Sequence, residues 1–148
     1  MFTDDLNRAR HQLAANFESK SAGLSATAAG TDIIGGLWQL KALLESGSKG
    51  NSDTASKTIW IFSDMMNESA NFNMPALLPA GPEKMIERAR ANGLIVPLAR
   101  YRIYVIGASP AGLTPQTWNA LRTFWTLYFR EAGSALFTYS AESSVDRE

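Results

Sequence analysis

The sequence predicts an α/β fold in three layers, with a small, mostly parallel sheet of about three strands and helices on both of its faces. Three observations carry that expectation. Helix-period segments and short apolar runs alternate from residue 31 to residue 140. The run TIWIF at 58–62 shows no polar alternation, the pattern of a strand covered on both faces. Polar or turn-forming residues follow each apolar run, where the strands of a parallel sheet give way to loops.

Taken in order, Phe2, Leu6, Ala9, Leu13 and Phe17 recur at spacings of four and three, which marks one face of a helix over 4–21. Thr3 or Asp4 can cap it, and Asp4 and Asp5 sit at the positive end of its dipole. SAGLSATAAG at 21–30 reads as a loop, so residues 1–29 form an N-terminal helix and loop. A second helix opens at Thr31 or Asp32, with Ile33, Leu37, Leu40 and Leu44 as its stripe and Ile34 and Trp38 widening it. Gly35 and Gly36 cost that helix about 1 kcal/mol each relative to Ala. The pair therefore implies close approach by another backbone.

GSKGNSDTASK at 47–57 is a surface connection to the first strand, TIWIFSD. MMNESANFNMPALLPAG at 65–81 holds Pro75 and Pro79 and reads as an irregular loop. A helix follows from Pro82, stopped by Gly93. RIYVIG at 102–107 is the second strand, leading into the turn-rich ASPAGLTP. Thr114-Pro115 opens the last helix, whose stripe is Trp118, Leu121, Trp125, Tyr128 and Phe129 and whose stop is Gly133. ALFTYS at 135–140 makes the third strand, and the polar tail 141–148 frays.

With 148 residues the chain is one domain, and 45% apolar against 19% charged residues suits a soluble globular protein. Lys plus Arg and Asp plus Glu balance at 14 each, so no overall field draws it to nucleic acid or to a membrane surface. The absence of cysteine excludes disulfides, thiolate metal sites and cysteine nucleophiles. MFTDDLNRARHQL is not a signal peptide, and no apolar run is long enough to span a bilayer. A cytoplasmic location is the expectation.

Ligands of an open parallel sheet gather at the carboxyl ends of its strands. That rule selects Ser63-Asp64, Gly107-Ala108-Ser109 and Ser140-Ala141-Glu142, with Thr31-Asp32 near the first. A carboxylate beside a hydroxyl suits Mg2+, Mn2+ or Ca2+. Capping explains the same residues without a ligand: Asp64 can close a turn, and Thr31 or Asp32 can start a helix. His11 stands alone, which excludes a two-histidine metal site, and no nucleophile elbow or phosphate loop is present. Glu83, Lys84, Glu87, Arg88 and Arg90 have the spacing of a solvated helix face.

GTDIIGGL at 30–37, followed by IWIFSD at 59–64, resembles the second and third metal-site segments of von Willebrand factor A domains. The later RIYVIGAS strand, LRTFWTLYF helix and ALFTYS strand also fit the C-terminal half of that fold, so the resemblance covers most of 30–140. It implies that Thr31 and Asp64 occupy metal-ligand positions, for Mg2+ or Mn2+. The family's Asp-x-Ser-x-Ser segment, which supplies the main ligands, does not occur in this sequence. The resemblance therefore implies a C-terminal portion only, either a naturally shortened relative or part of a longer protein, with an incomplete metal-ion-dependent adhesion site.

In the full fold a strand like TIWIFSD pairs with the missing opening strand. An unpaired apolar edge invites association. A homodimer joined along 58–64, through Ile59, Trp60, Ile61 and Phe62, is the expectation; a covering loop from 65–81 or another polypeptide are the alternatives. Three functional classes follow. The first is a non-catalytic protein-interaction module. The second is a Rossmann-like, metal-assisted hydrolase or phosphate-binding enzyme that uses Asp64 and Glu68, with Ser63 and Ser109 at the same strand ends. The third is a purely structural dimerisation domain.

Overall fold

The computed structural model describes residues 30–47, 57–109 and 111–141, together with Ser19. The helix expected over 4–21 (Ser19 apart) with His11, the loop that follows it, residues 48–56 and the tail from 142 lie outside the described residues. Helix α1 spans Ile33–Gly47, strand β1 Lys57–Phe62, the one-turn helix α2 Met74–Leu77, a 3-10 turn Leu78–Ala80 and helix α3 Pro82–Ala91. Strand β2 spans Tyr101–Ile106, helix α4 Pro115–Glu131 and strand β3 Ala135–Ser140.

Local chemistry sets the helix ends. Asp32 Oδ1 accepts the Gly35 N–H at 3.0 Å and so caps α1. Thr114 Oγ1 accepts the Thr117 N–H at 3.1 Å ahead of Pro115, and Gly133, at φ 77°, stops α4 as expected. The stretch 65–81 is more ordered than its prolines suggest. Asn73 Oδ1 accepts the Ala76 N–H at 3.2 Å, and Pro75 sits in the first turn of α2, where its missing N–H costs nothing. A single turn is too short to write a helical period into the sequence.

Two details of α1 also differ from expectation. Its buried arc is Ile33, Ile34 and Leu37, while Trp38 lies at the margin, 41% exposed, with the Lys41 ammonium 5.9 Å from its ring centre. Among the described residues, no foreign backbone approaches the glycine pair. A Cβ on Gly35 would meet the capping carboxylate of Asp32, and one on Gly36 would meet nothing within 4 Å.

The sheet runs β1-β2-β3 with every pair parallel. β1 and β2 are in unbroken register, Ile59 beside Ile103 and Trp60 beside Tyr104, and β3 joins β2 with an irregularity between Ile103 and Tyr104. This is the small α/β fold, with the parallel sheet that the alternating pattern predicts. On one side Ile59, Ile103 and Val105 are buried in a single core with residues from every described α-helix, among them Ile34, Met74, Met85 and Phe124. α3 and α4 are also clamped at the surface: Arg90 Nε donates to Glu131 Oε2 at 3.1 Å, and a second guanidinium N–H of Arg90 donates to Glu131 Oε1.

The opposite side of the sheet is different. Trp60 stacks on Tyr104 with ring centres 4.5 Å apart, and Tyr104 on Phe137 at 5.6 Å, a row of aromatic rings across all three strands. Trp60 is 45%, Phe137 55% and Phe62 65% exposed. Described residues thus cover TIWIF on its Ile59 side. No described helix covers the Trp60 side.

Candidate functional site

The strand ends chosen by the sequence form one connected ledge. Ser63 N–H donates to the Ile106 carbonyl at 3.0 Å and Ala108 N–H to the Ser140 carbonyl at 2.8 Å, so the ladder continues one step past each strand. Beyond it the chain turns sharply. Ser63 Oγ accepts the Met65 N–H and Asp64 Oδ1 the Met66 N–H, each at 3.0 Å. Both polar side chains singled out at this end therefore close a turn, the local bonding that short polar residues favour. Ser109 does the same after β2, its hydroxyl accepting the Ala111 N–H at 3.2 Å.

Met65 lies at the centre of that turn with φ 65°, a left-handed conformation that L residues rarely adopt. Its side chain is fully buried, and its carbonyl accepts the Trp125 indole N–H at 2.8 Å. Core packing and this bond hold the backbone where its own preference does not.

Asn67 is the buried polar residue among those described. Its Oδ1 accepts the Ile34 N–H at 3.0 Å, one of the free donors at the start of α1. Its Nδ2 donates to the Phe72 carbonyl at 2.7 Å and to Ser69 Oγ at 3.2 Å. Next to it, Glu68 N–H donates to the Thr31 carbonyl at 2.7 Å. The Thr31-Asp32 segment and the loop after Asp64 are thus side by side, joined through main chain and Asn67. Here the close approach expected at Gly35-Gly36 is found, at Gly30, where a Cβ would lie 2.5 Å from the Glu68 carbonyl oxygen. Nothing in the sequence singled out Asn67 as the hub, because an Asn five residues past a strand looks like any loop polar residue.

Burial pushes the Tyr139 phenol up, with the charge of Asp64 adding to the effect and that of Arg122 opposing it. Its hydroxyl is buried without a hydrogen-bond partner. Trp118 stands edge-on to the Tyr139 ring at 6.2 Å and donates its indole N–H to the Ala108 carbonyl at 3.1 Å. Glu68 does not share this setting. It lines an open groove of about 620 Å³ with Met66, Pro75, Leu78, Leu113 and Thr117.

Two tests of chemistry follow from this geometry. Mg2+ or Mn2+ needs a shell of about six oxygens, several from the protein. One Asp64 oxygen is already engaged by Met66, the Thr31 carbonyl by Glu68, and the described residues hold no group of three or more acidic, His or Cys side chains placed to bind a metal. The donors among the described residues do not enclose a dication. For the hydrolase reading, the Ser63 and Ser109 hydroxyl oxygens each accept a turn N–H, while Glu68 lines a separate groove.

The remaining site residues lie along β1. Ile59 is buried and Ile61 half-buried on the core side, while Trp60 and Phe62 are exposed on the other. β1 is an end strand of the sheet, bonded to β2 alone among the described strands. Near its start, Leu40, Leu44, Ile59 and Tyr101 line a shallow groove of about 480 Å³ between α1 and the sheet. No described helix is long and apolar enough to cross a membrane. No family model, no curated protein and no solved structure matches this chain.

Proposed function

We propose that this chain is a non-catalytic protein-interaction module that pairs with a second copy of itself along the edge of β1 that no described strand occupies. The observation that carries the reading is the position of β1: a six-residue strand at the end of the sheet, in unbroken register with β2 and free of proline. Such an edge offers a row of backbone donors and acceptors to another strand, and natural proteins seldom leave one bare.

A two-fold axis through that edge aligns β1 with its copy in antiparallel sense and joins two three-stranded sheets into one. Centred on Trp60, the pairing sets Trp60 opposite its counterpart and Thr58 opposite Phe62. The aromatic rows of the two copies then lie on the same side of the joint sheet.

The module is read as the C-terminal portion of a von Willebrand factor A-like domain. The adjacency of the Thr31 segment and the loop after Asp64 supports that reading. Its adhesion site is incomplete, so any Mg2+ or Mn2+ at Thr31 and Asp64 is held weakly and the partner is bound by strand pairing. A cytoplasmic setting accompanies the reading, in keeping with a cysteine-free chain. Sedimentation of the full chain beside a Thr58→Lys/Phe62→Lys variant tests it, since lysines on an edge strand oppose pairing.

A further inference from the structure

We propose that the exposed aromatic face of the sheet is the docking site of residues 4–21 of the same chain. The inference concerns the face of the sheet and stands apart from the pairing of its β1 edge.

The face asks for a cover. A parallel sheet normally has both faces packed, yet here Trp60, Tyr104 and Phe137 form a stacked row that no described helix shields, continued by Phe62. The occupant must be apolar along one stripe and about as long as the strands. Each strand has six residues and extends about 20 Å.

Residues 4–21 fit in pattern and in length. Leu6, Ala9, Leu13 and Phe17 make one apolar stripe, and eighteen residues in helical form extend about 27 Å. The tether also suffices. Residues 22–29 join the segment to Gly30, which is fixed against Glu68 beyond the carboxyl end of β1. Eight residues can reach about 26 Å, more than the roughly 10 Å between packed layers.

Charge sets the direction. With its C-terminal end near Gly30, the segment runs along the strands and brings Asp4 and Asp5 to their amino ends. Arg102, the second residue of β2, lies there on the exposed face, its guanidinium 5.6 Å from the Phe137 ring centre. Two carboxylates at the segment's start meet the cation on that face.

Hydroxyl-radical footprinting of the full chain, read by mass spectrometry, tests the proposal. A docked-to-free ratio of about ten slows labelling of Trp60, Tyr104 and Phe137 about tenfold relative to a Leu6→Asp/Leu13→Asp variant. Trp125, fully buried in the core, stays protected in both and reports an intact fold. Should the double variant expose Trp125 as well, Ala9→Asp alone is read in the same way. The proposal is overturned if Trp60 and Phe137 label in the full chain as fast as in the variants. It is also overturned if their protection disappears on dilution, because a second copy then covers the face.

Discussion

The indole N–H of Trp125, in the middle of α4, donates at 2.8 Å to the carbonyl of Met65, sixty residues earlier in the chain. This bond ties the longest described helix to the turn that ends β1 and pins a methionine in a left-handed conformation. Trp125→Phe keeps an aromatic ring in the core but leaves a buried carbonyl without its donor. The expected loss is about 2 kcal/mol of stability, measured by urea unfolding, and it arises from desolvation without compensation. Hydrogen exchange should show faster opening of residues 64–68 in that variant than of α3.

Two glycines should respond in opposite directions. Gly30→Ala sets a Cβ 2.5 Å from the Glu68 carbonyl oxygen, and both partners are backbone, so the close pass must open. A loss of about 1–3 kcal/mol is expected, as for an overpacked site. Gly36→Ala lies inside α1 with nothing within 4 Å of the added methyl, and should gain about 0.5–1 kcal/mol through helix propensity. Thermal midpoints of the two variants check the pair.

These glycines also show what could be read in the sequence. Helix boundaries written in local chemistry were legible: Asp32 as a cap, Thr114-Pro115 as a start, Gly93 and Gly133 as stops. So were the three strands and their order along the chain, since each is a compact apolar run between turn residues. The glycine pair was misleading because propensity records a cost at Gly35 and Gly36 and is silent about space, which is tight at Gly30. The helix at Met74–Leu77 was hidden because one turn has no period.

The run Ile59-Trp60-Ile61-Phe62 was uniformly apolar by residue type, yet it alternates aliphatic and aromatic with the period of a strand. Its aliphatic half entered the core and its aromatic half did not. The strand ends were found from the alternating order of elements alone. The bonds made there by Asp64, Ser63 and Asn67 depend on turn geometry that residue type does not encode.

Alkaline pH should weaken the fold through Tyr128. Its hydroxyl donates to the Leu94 carbonyl at 2.8 Å and accepts the Val96 N–H at 3.1 Å. Burial pushes its phenol up to about 12, against a smaller opposing effect of the Val96 bond. In the unfolded chain the same group ionises near pH 10. A pKa raised on folding gives stability that is whole below the unfolded value and is lost as pH rises toward the folded one. Unfolding midpoints should therefore hold up to about pH 10 and fall steeply above it. The absorbance of ionised tyrosine near 295 nm should rise together with unfolding, and Tyr128→Phe should flatten part of that slope.

The pairing of two copies along β1 is tested most directly by the mass of the full chain in solution. Sedimentation equilibrium at micromolar concentration should give twice the 16.1 kDa chain mass. The Thr58→Lys/Phe62→Lys variant, with its circular dichroism unchanged, should give the single-chain mass. A full chain that sediments as a stable monomer at that concentration, or a variant that remains dimeric, would contradict the account.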